Sequence, residues 1–202
     1  PEFAIFEFAH RTIDQPPLEI TGDVSSGKSL LLANILAKCI LPDRYDDIHV
    51  KGLAASAVLI NTDCHFQISK LVKVMSTIVT DVYKSVDRKR MNNETISEIV
   101  NDVLDNLIII NCYGKDQFLL TLHTLESILF RNEKIIILAI DSISAYYWQT
   151  RENSDIRSID RILLKAVLEQ VKNVFLCRQG HKHILTEQED FQYLIFCRVV
   201  FL

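Results

Sequence analysis

The octapeptide Gly22-Asp23-Val24-Ser25-Ser26-Gly27-Lys28-Ser29 constrains this chain more than any other feature. It has the form G-x-x-x-x-G-K-[ST]. Its glycines let the backbone turn tightly and bring N–H groups close to an anion. An apolar run, Leu18–Thr21, precedes it and reads as a strand. A helix is expected from Lys28 to Ile40, with Leu30, Leu31, Ile35 and Leu36 apolar and Pro42 ending it. The start of that helix directs its positive dipole end at the loop. Strand, loop and helix together form a cradle for the phosphates of a nucleoside triphosphate. The Lys28 ammonium is expected to reach the β- and γ-phosphates, and the Ser29 hydroxyl to ligate Mg²⁺. Chance produces this pattern in about one chain of this length per hundred at average glycine usage. Here only 5 glycines occur in 202 residues, and two stand at the required places.

Beyond the loop, short apolar runs alternate with helical stretches. Ala57–Asn61, Leu107–Asn111, Ile135–Ile140 and Asn173–Cys177 read as further strands. Helices are expected over Phe66–Val86, Glu94–Leu104, Gln117–Phe130 and Ile156–Val171. Continuous apolar strands alternating with helices imply an α/β fold, a mostly parallel twisted sheet covered on both faces. Apolar residues make up 49% and charged residues 24%, the balance of a globular chain. The net charge of −4 excludes a histone-like basic coat. Five cysteines without a C-x-x-C pair argue against a disulfide framework and a cysteine-rich zinc site. No apolar run reaches the roughly 20 residues of a membrane span, and no secretory leader is read. Residues 1–17 are expected to be an N-terminal arm, with Pro1-Glu2-Phe3 consistent with a cloning remnant, and residues 18–202 the core domain. Phe191–Leu202 reads either as a terminal strand or as a cut inside a larger domain.

Two acidic positions extend the phosphate reading. Asp141 ends the apolar run Ile135–Ile140. A carboxylate at the C-terminal end of a buried strand suits the water shell of Mg²⁺ at the edge where open α/β sheets bind ligands. The bland alternative is an aspartate in a turn. Asp63, in Asn61-Thr62-Asp63, follows the second strand and is a candidate to orient or activate an attacking water. It reads equally well as a cap for the helix that follows.

The loop, the acidic residue after the next strand and the apolar strand ending in Asp-Ser resemble, in this order, the RecA-like recombinase ATPases. Ala37–Pro42, Thr62–Phe66, Leu120–Ser127 and above all Asp141-Ser-Ile-Ser-Ala-Tyr-Tyr-Trp148 resemble the eukaryotic recombinase paralogues of that family. The likeness runs from about Leu18 to Trp148 and weakens to about Gln179. It implies a RecA-like P-loop NTPase fold, an ATP-binding subunit of a homologous-recombination repair complex, hetero-oligomers with other recombinase paralogues, DNA contact within that complex, and a nuclear location, with cytoplasm also compatible. Gly22, Gly27, Lys28 and Ser29 match the family's phosphate loop, and Asp141 its Mg²⁺-side acidic residue. Gln179 matches a glutamine coupling nucleotide state to a DNA-binding loop. Recombinases carry Glu where this chain has Asp63; a carboxylate roughly 1.5 Å short of its water implies slow hydrolysis. No helical domain is read ahead of the core, and the 23 residues after Gln179 leave the sheet short of its usual C-terminal strands.

The family's DNA-facing loops fall here at Gln149–Asp155 and Gly180–Leu185, where charge is thin. His181 and His183 read as exposed loop histidines more readily than as a metal pair. Tyr147 and Trp148 suit packing as well as base stacking. Phe6-Glu-Phe-Ala9 has the F-x-x-A form with which recombinases dock neighbouring protomers. Lys84–Arg90 is a solvated basic loop or a nuclear import signal, and the Asn93-Glu-Thr95 sequon is expected to stay unmodified. Two other functions fit the loop: a P-loop kinase or metabolic NTPase acting on a small molecule, and a scaffold with a structural nucleotide. A kinase usually needs an arginine-rich lid, and no such lid is read after strand four or five beyond Arg151, Arg157 and Arg178.

Overall fold

The computed structural model describes residues 18–46, 48–62, 64–85, 93–142, 145–146 and 193–199. The expected strand Asn173–Cys177, helix Ile156–Val171, both DNA-facing loops, and the residues Asp63, Trp148, Gln179, His181 and His183 lie outside them, as does the N-terminal arm.

The strands are β1 (Leu18–Gly22), β2 (Arg44–Tyr45), β3 (Ile48–His49), β4 (Ser56–Asn61), β5 (Leu107–Asn111), β6 (Ile135–Asp141) and β7 (Tyr193–Val199). The helices are α1 (Lys28–Ile40), α2 (Ile68–Ser85), α3 (Asn93–Leu104) and α4 (Lys115–Arg131). Among the described residues, five strands form one sheet in the order β1-β7-β6-β4-β5, and every ladder in it is parallel. β4 is buried at all six positions. That is why its sequence, Ser-Ala-Val-Leu-Ile-Asn, runs nearly continuously apolar instead of alternating. Its alternate residues serve two cores. Ala57 and Leu59, with Ala139 of β6, pack under α1, α2 and α3. Val58 and Ile60, with Leu138 and Ile140, pack under α4 through Phe118, Leu122, Leu125 and Leu129. The sheet is thus covered on both faces, as the pattern predicted.

α2 places Leu71, Met75 and Val79 at four-residue spacing on its buried stripe. α1 ends at Leu41, whose backbone turns extended ahead of Pro42. The carbonyls of its last turn are satisfied by a strap that the sequence did not announce. The N–H groups of Leu53, Ala54 and Ala55 donate to the carbonyls of Lys38, Leu41 and Cys39, and Gly52 N–H donates to Pro42 O. The two-residue ribbon β2–β3 stands between helix and strap. The predicted ends moved little: α2 starts at Ile68 instead of Phe66, and α4 runs from Lys115 to Arg131 instead of Gln117 to Phe130. Tyr193–Val199 is a strand inside the segment read as Phe191–Leu202. No helix among the described residues is long and apolar enough to cross a membrane.

Candidate nucleotide site

The loop Gly22–Ser29 joins the end of β1 to the start of α1 at the C-terminal edge of the parallel sheet. Its backbone turns at positive φ at both glycines, Gly22 at 156° and Gly27 at 91°, and also at Ser25, at 63°, which the motif did not imply. A Cβ on Gly22 would meet Ser26 Oγ at 2.7 Å, a hydroxyl that can rotate aside, so it is the positive φ that favours glycine there. Gly27 caps α1 in the left-handed region without any side-chain cap. No acidic residue stands in the first turn of the helix. An α-helix leaves its first N–H groups without intrahelical partners. Here they open at the loop with no carboxylate of their own turn competing for them. Asp23, Val24, Ser25, Ser26, Gly27 and Ser29 are exposed, and Val24 keeps 71% of its surface.

Lys28 is half-buried beneath this arch. Its Nζ donates to Gly22 O at 2.7 Å and to Asp23 O at 2.5 Å, with Ser26 Oγ at 3.3 Å. The ammonium therefore already lies inside the loop, held by carbonyl oxygens that phosphate oxygens can replace. A Cβ-free turn, an uncapped helix start and an enclosed ammonium fit a polyphosphate.

Asp141 ends β6 and is 9% exposed. It is two residues on from Ala139, so side-chain alternation sends it to the face of the sheet that α1 covers. This carboxylate does not stand directly beside the loop. β7 lies between β6 and β1, with Asp141 aligned to Cys197 and Gly22 to Val199. Two strand spacings, about 10 Å, separate the two positions laterally. That gap suits a metal and its phosphate ligands better than a direct contact. Ser29 and Asp141 are the residues that could hold Mg²⁺ here. Among the described residues no group of three or more His, Cys, Asp or Glu is arranged to bind a metal without such a ligand.

Polar groups lock the neighbouring strand ends together. Thr62 N–H donates to Asp141 O at 2.8 Å, and Thr62 Oγ1 donates to Ser142 O at 2.5 Å. The Tyr146 hydroxyl donates to Cys112 O at 2.5 Å, with Thr62 O at 3.3 Å, while its ring packs against Phe118 with centroids 6.0 Å apart. Asn61 Nδ2 donates to Asn111 Oδ1 at 2.8 Å. The sequence reading singled out Asp63 and passed over Asn61, Thr62 and Tyr146. The signal that could have found Asn61 is that β4 and β5 both end an apolar run in asparagine.

No family model matches the chain. It is 30% identical to DNA repair protein XRCC2 of Mus musculus over 133 residues, which are 66% of this chain and 41% of that protein. Over that stretch the chain resembles XRCC2. It is also 24% identical over 160 residues, 69% of its length, to the DNA repair protein XRCC2 homolog of Arabidopsis thaliana, where it covers 43%. The chain thus spans about two-fifths of the length of these relatives. The XRCC2 likeness bears out the resemblance to the recombinase paralogues that the quoted stretches carry, above all the one that begins at Asp141.

Proposed function

We propose that this chain is an ATP-binding recombinase paralogue with a RecA-like P-loop core, acting as a subunit of a homologous-recombination DNA-repair complex in the nucleus. The observation that carries the nucleotide half is the loop itself. An uncapped helix start, a left-handed Gly27 and a Lys28 ammonium enclosed by the loop carbonyls stand at the sheet edge where Asp141 faces the same side. The DNA-repair half is supported by the XRCC2 relatives.

In this reading the N–H groups of Gly22–Ser29 and the start of α1 hold the triphosphate, and Lys28 exchanges Gly22 O and Asp23 O for phosphate oxygens. Ser29 and Asp141 hold Mg²⁺, which neutralises charge on the β- and γ-phosphates. Asp63 and Gln179 are assigned to water orientation and to coupling with DNA from the family resemblance. Other recombinase paralogues are the partners, and DNA is contacted within the assembled complex.

Calorimetry with Mg²⁺–ATP on the folded chain tests the nucleotide half. Losing a hydrogen-bonded charge of about 1.5–3 kcal/mol predicts that Lys28→Ala weakens ATP about 10- to 100-fold. Absence of binding heat with the unaltered protein overturns the reading. Phosphoryl transfer to a small acceptor, in place of ATPase activity stimulated by single-stranded DNA, would assign the chain to the kinases instead. Affinity purification from nuclei with mass spectrometry tests the complex.

A further inference from the structure

The buried end of β4 holds a group that the nucleotide reading leaves unused. Asn61 is 4% exposed, and its Oδ1 is a buried side-chain atom without a hydrogen-bond partner. Buried polar groups are nearly always paired, so an exception calls for a physical account. The amide is oriented on its other branch: Nδ2 donates to Asn111 Oδ1 on β5. β4 lies between β5 and β6, so an amide whose nitrogen faces β5 turns its oxygen toward β6. The residue aligned with Asn61 on β6 is Asp141. Adjacent strands run about 4.8 Å apart, and register partners in a parallel sheet share a face. For this pair it is the face that α1 covers, because Leu59 and Ala139, two residues earlier, pack there.

An amide oxygen beside a carboxylate places two acceptors together. The Asn61 oxygen only accepts and an ionised carboxylate cannot donate to it, so whatever satisfies Oδ1 must bring a donor or a cation. Hydrated Mg²⁺ brings both, since it dehydrates reluctantly and keeps waters whose hydrogens point outward. We propose that Asn61 is a positioning residue for the metal: its Oδ1 accepts a hydrogen bond from a water on Mg²⁺ held by Asp141 and Ser29. Asn61 then selects hydrated Mg²⁺ and fixes its orientation without ligating it directly, which is how outer-shell groups tune a metal site. The inference rests on the nucleotide reading above.

The test is calorimetric titration of the whole chain with ATP, in EDTA and at graded Mg²⁺. Asn61→Leu removes the acceptor and keeps the volume. It is expected to leave ATP affinity in EDTA unchanged and to raise the Mg²⁺ concentration needed for half of the metal-dependent gain about 10-fold. Asn61→Asp keeps an acceptor and adds charge, so it is expected to lower that concentration below the unaltered protein's. An unchanged Mg²⁺ midpoint in Asn61→Leu overturns the proposal. A raised midpoint in Asn61→Asp overturns it too, because the amide N–H would then be the group that matters. Should Asn61→Leu fail to fold, Asn61→Asp decides alone, and an unchanged midpoint overturns the proposal. An unaltered protein that binds no ATP at any Mg²⁺ concentration sinks the nucleotide reading and this inference with it; a failure confined to the Asn61 variants sinks only this one.

Discussion

Cys39 shows how burial at one residue becomes a property of the fold. Its side chain is fully buried against the α1 face of the sheet, and burial pushes its thiol from the ordinary 9.0 up to about 12. A thiol released by unfolding ionises above pH 9 while the folded one keeps its proton. The unfolded state then binds fewer protons, so stability falls as pH rises from about 9 to about 12, by up to roughly 1.4 kcal/mol per pH unit. Urea midpoints at pH 8 and pH 10.5 should show that fall, and Cys39→Val should flatten it; an equal slope in the variant removes the account. Burial pushes Cys112 up in the same direction, against a lowering hydrogen bond from Thr121. Asp63 raises a different question, one of reach. If its carboxylate is set back by one methylene, Asp63→Glu should raise ATP turnover while leaving ATP affinity within about threefold, because positioning errors of about 1 Å act on rate. Unchanged turnover in that variant would remove the argument for slow hydrolysis.

At the scale of elements, the strap after the β2–β3 ribbon is the most exacting piece of backbone described. Gly52 is buried, and a Cβ there would sit 2.0 Å from Leu41 O and 2.4 Å from Leu41 C, both backbone atoms that cannot rotate aside. Gly52→Ala should therefore break the seal on the last turn of α1 and destabilise the protein by about 3 kcal/mol, the upper part of the overpacking range. Gly114→Ala is the matched control, since nothing stands within 4 Å of its Cβ, and it should cost under about 1 kcal/mol. Equal losses in urea unfolding would show that space is not what Gly52 supplies. The strap also marks where the sequence stopped being readable. The long strands and helices were legible because each carries its own period: a continuous apolar run in β4 and β6, a stripe four residues apart in α2. The strap has no period, because its partners are carbonyls at the end of a helix some 15 residues upstream. The candidate site divides in the same way. The turn Gly22–Ser29 between β1 and α1 was legible because its residues are contiguous, whereas the alignment of Asn61 with Asp141 arises from pairing between strands 80 residues apart.

Over the whole molecule, the feature that matters is that the loop Gly22–Ser29 and Asp141 share one edge and one face yet belong to strands that do not touch. β7 stands between them. A ligand that engages only the loop would tighten β1 and α1; a metal-bridged ligand would also tie down the ends of β4 and β6. The two cases separate in hydrogen exchange. With Mg²⁺–ATP, slowed exchange is expected both over 22–31 and at Thr62, whose N–H donates to Asp141 O. With ATP in EDTA it is expected over the loop alone. Global stability should follow the same division, because binding to the folded state alone adds RT ln(1 + [L]/Kd), about 2.7 kcal/mol at a hundredfold excess over Kd. For a chain of 202 residues that corresponds to a rise of about 5–10 °C in Tm. Thr62 exchange that ignores Mg²⁺ while the loop becomes protected would confine the nucleotide to the loop and detach Asp141 from the metal.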